Sequence, residues 1–353
     1  STHRRGLATT SKMLPLMSVT SGRLATVPCR PARGQRRRHH TVPLGRTPLE
    51  GRAPRGLLSY RRRGIAAKGI GREDAAGQEG EGEEASTSGG VNSILRRKQG
   101  EIQRALDELG ERGLDELFSS AKAVEHGRSL YTMMEGCMAQ GRAMVMVDVF
   151  PSSPATSAAE MGELAASYER WGADALTVWT DIEVSSHGME DLQYVCSATR
   201  VPVIRKDWIL HPIQIVETAA VGASGLTVIN SIAGPKGMPM LFAVAAQLGL
   251  EVPIEVINIT DVEAVEKFKI PVYGVNMTVG LNLALPGFRT SMLKSILGAL
   301  PEGSKSVVGV GSLEEASLAM EAGASCLNLT YSALAAAEDK EALVRGVCRV
   351  ARG

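Results

Sequence analysis

The sequence predicts an α/β protein built as a closed parallel barrel of eight strands, a (β/α)8 or TIM barrel, with an N-terminal helical extension and a disordered leader. Beyond Arg142, short β-branched runs alternate eight times with amphipathic segments in about 210 residues. The connections between them are short, as in a barrel. A doubly wound open sheet is the alternative arrangement of the same units. It more often holds roughly five to seven strands, and no Gly-x-Gly-x-x-Gly follows the first strand here.

Charge divides the chain before any element is placed. Residues 1–72 hold 15 Arg and 2 Lys against one acid, Glu50. Rich in Ser, Thr, Gly and Pro and without apolar periodicity, they have the composition of an organelle transit peptide, and a basic arm for nucleic acid or an anionic membrane is the competing reading. Residues 73–92 carry six acids and no base among Gly and Ser, and are expected to form a disordered linker. Residues 93–353 hold 22 bases against 31 acids and are long enough to bury one sizeable core. That acidic balance argues against nucleic acid as a partner. No stretch reaches the roughly 18 apolar residues of a membrane span, since even 219–233 carries Ser224, Thr227, Asn230 and Ser231.

The extension opens at Ser93, read as an N-cap, with Ile94, Leu95, Ile102, Leu106, Leu109 and Leu114 recurring near the helical period. Strands follow at 143–149, 175–179, 201–205, 225–229, 253–257, 272–275, 306–310 and 326–329. The helices between and after them fall at 157–171, 189–198, 213–221, 238–248, 262–268, 290–300, 313–322 and 339–350. Cys29, Cys137, Cys196, Cys326 and Cys348 are odd in number, with no Cys-x-x-Cys and no His at ligand spacing, so reduced thiols are expected and neither a disulfide framework nor a zinc site.

Barrel chemistry sits at the C-terminal ends of the strands. Alternation in the first strand turns Val145, Val147 and Val149 to the helices and Met146, Asp148 and Phe150 inward. The same count makes Lys206, Glu255 and Asn276 the last inward residues of strands three, five and six. Singly, each reads equally as a solvated rim residue or half of an ion pair. Together they form an acid/base constellation. Arg205 and Asp207 beside Lys206 read as surface pairs, and His126, His187 and His211 stand at no triad or metal spacing. Gly309-Val-Gly-Ser312 offers backbone N–H groups to a phosphate, though Gly-x-Gly also marks an ordinary tight turn.

Several of these segments carry a resemblance. The run Val201-Pro-Val-Ile-Arg-Lys-Asp-Trp-Ile-Leu210 with Gln214 resembles the Arg-Lys-Asp segment of the indole-3-glycerol phosphate synthase family. Residues 168–180, 253–257 and Tyr273-Gly-Val-Asn276 resemble its second, fifth and sixth strands, and Ile94-Leu95 to Glu101-Ile102 its N-terminal helix, so the likeness spans about residues 93–350. It implies a cofactor-free and metal-free carboxy-lyase of tryptophan biosynthesis, which the composition of the leader would place in the plastid stroma. Such an enzyme closes the indole ring of 1-(o-carboxyphenylamino)-1-deoxyribulose 5-phosphate, a phosphorylated small molecule.

By that resemblance Lys206 is the general acid, Glu255 the general base and Asn276 a positioning group. Asp148 stands for the strand-one acid, and Ser153, Phe150, Gly311 and Ser332 occupy substrate-binding positions. The departures fall on the anion anchors. The family's strand-one Glu-x-Lys reads Asp148-Val-Phe150, its Arg two residues past Asn276 is Thr278, its strand-seven Ser is Val310, and its strand-eight Gly-x-Ser reads Thr330-Tyr-Ser332. Activity is therefore expected to be impaired unless a cation such as Lys236 or Arg289 compensates. The alternatives are a catalytically inactive barrel with a regulatory or scaffolding role, and a lyase or isomerase acting on a different ligand.

Overall fold

The computed structural model describes residues 84–276 and 287–353. The expected leader at 1–72, most of the expected linker and Thr278 lie outside the described residues.

Helix α1 (Glu84–Lys122) reaches into the stretch expected to be linker and is interrupted at Gly110, whose φ of 60° is non-helical. Ser93 therefore lies inside the helix rather than at its N-cap. Its hydroxyl donates to the Gly90 carbonyl at 2.7 Å, the back-bond that a serine makes within a helix. Helix α2 (Leu130–Ala139) follows, capped by Ser129, whose hydroxyl accepts from the Thr132 N–H.

Among the described residues nine parallel strand segments follow: β1 (Met144–Val149), β2 (Ala175–Trp179), β3 (Val203–Lys206), β4 (Gly225–Leu226), β5 (Val228–Ile229), β6 (Ile254–Val256), β7 (Val272–Val275), β8 (Lys305–Val310) and β9 (Cys326–Leu329). Their order, β4-β3-β2-β1-β9-β8-β7-β6-β5, begins and ends on the two halves of one strand. The expected strand at 225–229 is split at Thr227. Its first half pairs with β3 and its second with β6, so this strand brings the sheet round into a nearly closed barrel. At the split, Thr227 N–H donates to Arg205 O at 2.9 Å, while Val228 N–H donates to Pro253 O at 3.0 Å. Gly225 makes the approach possible, since a Cβ there would stand 2.0 Å from the Glu251 carbonyl oxygen.

The outer layer comprises α3 (Ala158–Trp171), α4 (Gly188–Ala198), α5 (Pro212–Ala220), α6 (Asn230–Gln247), α7 (Ile259–Val265), α8 (Phe288–Gly298), α9 (Leu313–Glu321), α10 (Tyr331–Ala336) and α11 (Lys340–Val350). Helix α6 begins well before the expected 238 because Gly234, at φ 63°, joins two helical pieces. Helix α10 was not expected at all. No helix of the described residues is long and apolar enough to cross a membrane.

The N-terminal end of the barrel is plugged by α2. Leu130, Met134 and Cys137 pack in one buried cluster with Met144, Ala175, Val272 and Cys326 from the strand starts. The Glu251 carboxylate accepts from Ser129 Oγ at 2.9 Å and from the Leu130 N–H, tying α2 to the strand connection below β4. Burial pushes the Cys137 thiol up to about 11, so it is neutral and unreactive at pH 7.

The extension is anchored at the opposite end. Lys98 of α1 is 3% exposed and pairs with Asp207 at 2.9 Å, Asp181 at 3.1 Å and Glu101 at 2.9 Å. Arg205 completes the network, donating to Asp207 at 2.8 Å and to Thr180 Oγ1 at 2.8 Å. Arg205 and Asp207 are thus buried, not the surface pair expected from sequence, because α1 covers them. Burial by itself would lower the Lys98 pKa, but Asp207, Glu101 and Asp181 outweigh it and raise it. Burial likewise opposes ionisation of Asp207, and Arg205 and Lys98 outweigh that and lower its pKa.

Asp207 therefore stabilises the fold fully above its unfolded pKa of about 3.9, and the contribution is lost as pH falls through the lower folded value. Lys98 contributes fully below about 10.4 and loses its contribution as pH rises through its higher folded value. Lys98→Met should cost about 1.5–3 kcal/mol in urea unfolding at pH 7, since it takes one of two cations from each of the buried carboxylates Asp207 and Asp181, which keep Arg205 and Arg97, and distinctly less at pH 3. An equal cost at both pH values would reduce the network to packing. Gly225→Ala should lower stability by about 1–3 kcal/mol through overlap with the Glu251 backbone, and an unchanged urea midpoint would contradict that close approach.

Candidate active site

The C-terminal mouth is organised around Asp148, which is fully buried on the inward face of β1. Its Oδ1 accepts from Thr177 Oγ1 on β2, Asn328 Nδ2 on β9 at 3.1 Å and Lys206 Nζ on β3 at 3.4 Å. Its Oδ2 accepts from Trp179 Nε1 at 3.3 Å and from the Tyr331 backbone N–H, the first of α10, at 3.1 Å. Donors surround the carboxylate, as its burial demands. Lys206 is half-buried, and its ammonium also lies 5.0 Å from the Trp179 ring centroid. Charge on one side and the π face on the other hold it at the mouth.

A second pair stands on β6 and at the end of β7. Asn276 Nδ2 donates to Glu255 Oε1 at 2.7 Å, and the Asn276 backbone N–H to Val256 O at 3.0 Å. Both side chains are half-buried. Lys206 is thus brought to Asp148 and Glu255 to Asn276, all four at C-terminal strand ends: an ammonium able to donate a proton, and a carboxylate oriented by an amide.

The substrate-binding candidates fare differently. Phe150 is buried just past β1 and meets Tyr331 edge to face at 5.7 Å, and Tyr331 meets Trp179 in the same way at 5.7 Å. Ser153 is exposed, and its hydroxyl serves its own turn, accepting from the Ala155 N–H at 3.3 Å and facing Thr156 Oγ1 at 3.4 Å. Ser332 is exposed on α10, with its hydroxyl 3.2 Å from that of Thr330. Gly311 does not offer its N–H outward, because it donates to Glu315 Oε2 at 2.7 Å. The other oxygen of Glu315 accepts from Arg289 Nη1 at 3.0 Å, so the cation expected as a substitute anchor is already paired.

Short-range reading missed several groups at the mouth. Thr177, Trp179 and Asn328 sit on inward strand positions that the count applied to β1 would have reached. Tyr331, Glu315 and Lys340 sit on helices and gave no periodic signal. His211 caps α5, its Nδ1 accepting from the Ile213 N–H at 3.2 Å, and burial lowers its pKa. Among the described residues, no group of three or more His, Cys, Asp or Glu side chains could hold a metal ion.

Known proteins resemble this chain. Residues 91–346 match the family model of indole-3-glycerol phosphate synthase. The chain is 32% identical over 195 residues to the indole-3-glycerol phosphate synthase of Polynucleobacter asymbioticus, covering 54% of this chain and 71% of that one. It is 29% identical over 205 residues to that of Bordetella pertussis, covering 56% and 76%. Among solved structures, a tryptophan synthase from M. tuberculosis superposes with a TM-score of 0.51 at 15% identity over 64% of this chain and 100% of that one, a likeness of fold alone. With a family model covering most of the barrel and its helical extension, and a relative above 30% identity, the chain belongs to the indole-3-glycerol phosphate synthase family.

Proposed function

We propose that this barrel performs indole-ring closure on 1-(o-carboxyphenylamino)-1-deoxyribulose 5-phosphate, at a rate held down by poor purchase on the phosphate. The observation that carries the reading is the pairing of Lys206 with Asp148 and of Glu255 with Asn276 at one mouth. In this reading the ring carbon bearing the carboxylate attacks the sugar ketone while Lys206 protonates the ketone oxygen. Carbon dioxide then leaves and the ring regains aromaticity. Lys206, reprotonated from solvent, gives a second proton to the new hydroxyl, which departs as water while Glu255 takes a proton from the neighbouring carbon. Proton transfers of this kind contribute about 10²- to 10⁴-fold each.

Binding is the weak link. At an effective dielectric of about 20, one cation 4 Å from an oxyanion contributes roughly 4 kcal/mol before desolvation. Here the Gly311 N–H and Arg289 are spent on Glu315, the Tyr331 N–H on Asp148, and Phe150 stands where the family carries a lysine. A phosphate at Gly311 would have to displace Glu315 or lie against its charge. Residues 1–72, by their composition, extend the proposal to action in the plastid stroma.

Purified full-length protein should form indole product well below about 1 s⁻¹, the lower range of ordinary enzymes. Lys206→Ala should remove at least about 100-fold of that rate. Ordinary turnover would overturn the impairment, and a folded protein with no product at saturating substrate would favour the non-catalytic barrel. Glu315→Gln should tighten calorimetric binding of inorganic phosphate by about tenfold or more, equivalent to roughly 1.4 kcal/mol. Unchanged affinity would remove Gly311 from the phosphate site.

A further inference from the structure

We propose that Lys340 anchors a ligand carboxylate at the mouth, in place of the lysine that position 150 has lost. The inference rests on the reading that the mouth takes a substrate with an aromatic acid at one end. Lys340 is the first residue of α11, half-buried, with its ammonium 5.8 Å from the centroid of the Phe150 ring. Position 150 is where the resemblance places the second strand-one charge, and the structure sets a cation from the far end of the sequence against the ring that stands there.

The charge balance of the rim singles this lysine out. Lys206 is neutralised by Asp148, and Arg289 by Glu315. Lys236 is exposed on α6. The acids beside Lys340 are engaged elsewhere: Asp339 Oδ1 accepts from the Ala342 N–H at 2.9 Å, and Glu341 pairs with Arg345 at 2.7 Å. Among the described residues no carboxylate lies within ion-pair distance of Lys340, and the partner it has is a ring face. A ring face holds an ammonium weakly, so the contact is readily exchanged for a carboxylate.

The rings between the two lysines say what else the ligand carries. Phe150, Tyr331 and Trp179 form a continuous edge-to-face strip, with Lys340 against its first ring and Lys206 against its last. Such a strip takes a flat aromatic ring by the same edge and face contacts it makes internally. An aromatic acid laid along it with its carboxylate at Lys340 leaves the substituent on the ring nitrogen extending towards Lys206. Lys340 is thus a specificity-determining residue for the aromatic end of the substrate, separate from the proton-transfer groups.

The test uses the full chain with Lys340→Met, Lys340→Arg and Lys340→Met combined with Phe150→Lys, and two readouts. Tryptophan fluorescence follows binding of anthranilate and of uncharged aniline, and steady-state kinetics follow indole formation. Lys340→Met should weaken anthranilate by about tenfold and leave aniline within about twofold, raising KM with kcat little changed, as expected for loss of one partly exposed charge contact. Lys340→Arg should hold near wild type, and the Phe150→Lys combination should recover anthranilate binding. Equal anthranilate binding by wild type and Lys340→Met, or an equal loss for aniline, would overturn the inference. Lys340-dependent anthranilate binding without indole formation would sustain this site and overturn the proposed reaction. Indole formation with a KM indifferent to Lys340 would do the reverse.

Discussion

A carboxylate with no exposed surface occupies the centre of the barrel mouth, and the surrounding elements are arranged to satisfy it. Removing a carboxylate from water costs several kcal/mol unless donors replace the lost hydration. Asp148 finds those donors on β2, β3, β9 and α10, so its two oxygens bind four elements that are far apart in sequence. The register β1 keeps with its neighbours makes this possible, Asp148 lying opposite Thr177 on β2 and Met146 opposite Asn328 on β9. Slipping either pairing by one residue would turn a donor outward and leave the charge short of a partner. The acid that orients Lys206 is therefore also a constraint on how the strand ends meet.

The same chemistry accounts for what the mouth lacks. Where a strand passes into a helix, backbone N–H groups are left without intrahelical partners and attract anions. At helix starts this chain often supplies the carboxylate itself, among them Glu251 at α2, Glu315 at Gly311 before α9, and Asp148 at α10. The first serves stability at the closed end of the barrel. The other two lie where a barrel commonly receives a phosphate, between the last two strand ends and a short extra helix. With these N–H groups satisfied internally, any external oxyanion has to compete with a tethered one.

Much of this was legible from periodicity alone. Eight strand and helix units, and the inward placing of Asp148, Lys206, Glu255 and Asn276, follow from a period of two applied between turn signals. The split at Thr227 was not legible, because two halves of one continuous apolar run pair with different neighbours only once the barrel curves round. Arg205 and Asp207 looked like a surface pair for a related reason. Their third partner, Lys98, lies more than a hundred residues upstream on a helix whose resting place no local pattern records. Lys340 and Tyr331 escaped because helix positions carry no inward or outward parity relative to the barrel.

That buried network also explains how a helix outside the barrel bears on its chemistry. Arg205, Lys206 and Asp207 are consecutive, and alternate residues of a strand face opposite ways. With Arg205 held by Thr180, Asp207 and the Gln214 carbonyl, and Asp207 held by Lys98, the two flanking residues are committed to the helix side of the sheet. Lys206 between them has only the barrel side left to it, where Asp148 and the face of Trp179 receive it. Removing α1 would take both cations from Asp181 and leave Asp207 with Arg205 alone, and the strand end would relax to hydrate the newly uncovered carboxylates. The orientation of the proton donor thus depends on Lys98 of a helix packed outside the strands, which gives the N-terminal extension a physical role in the site.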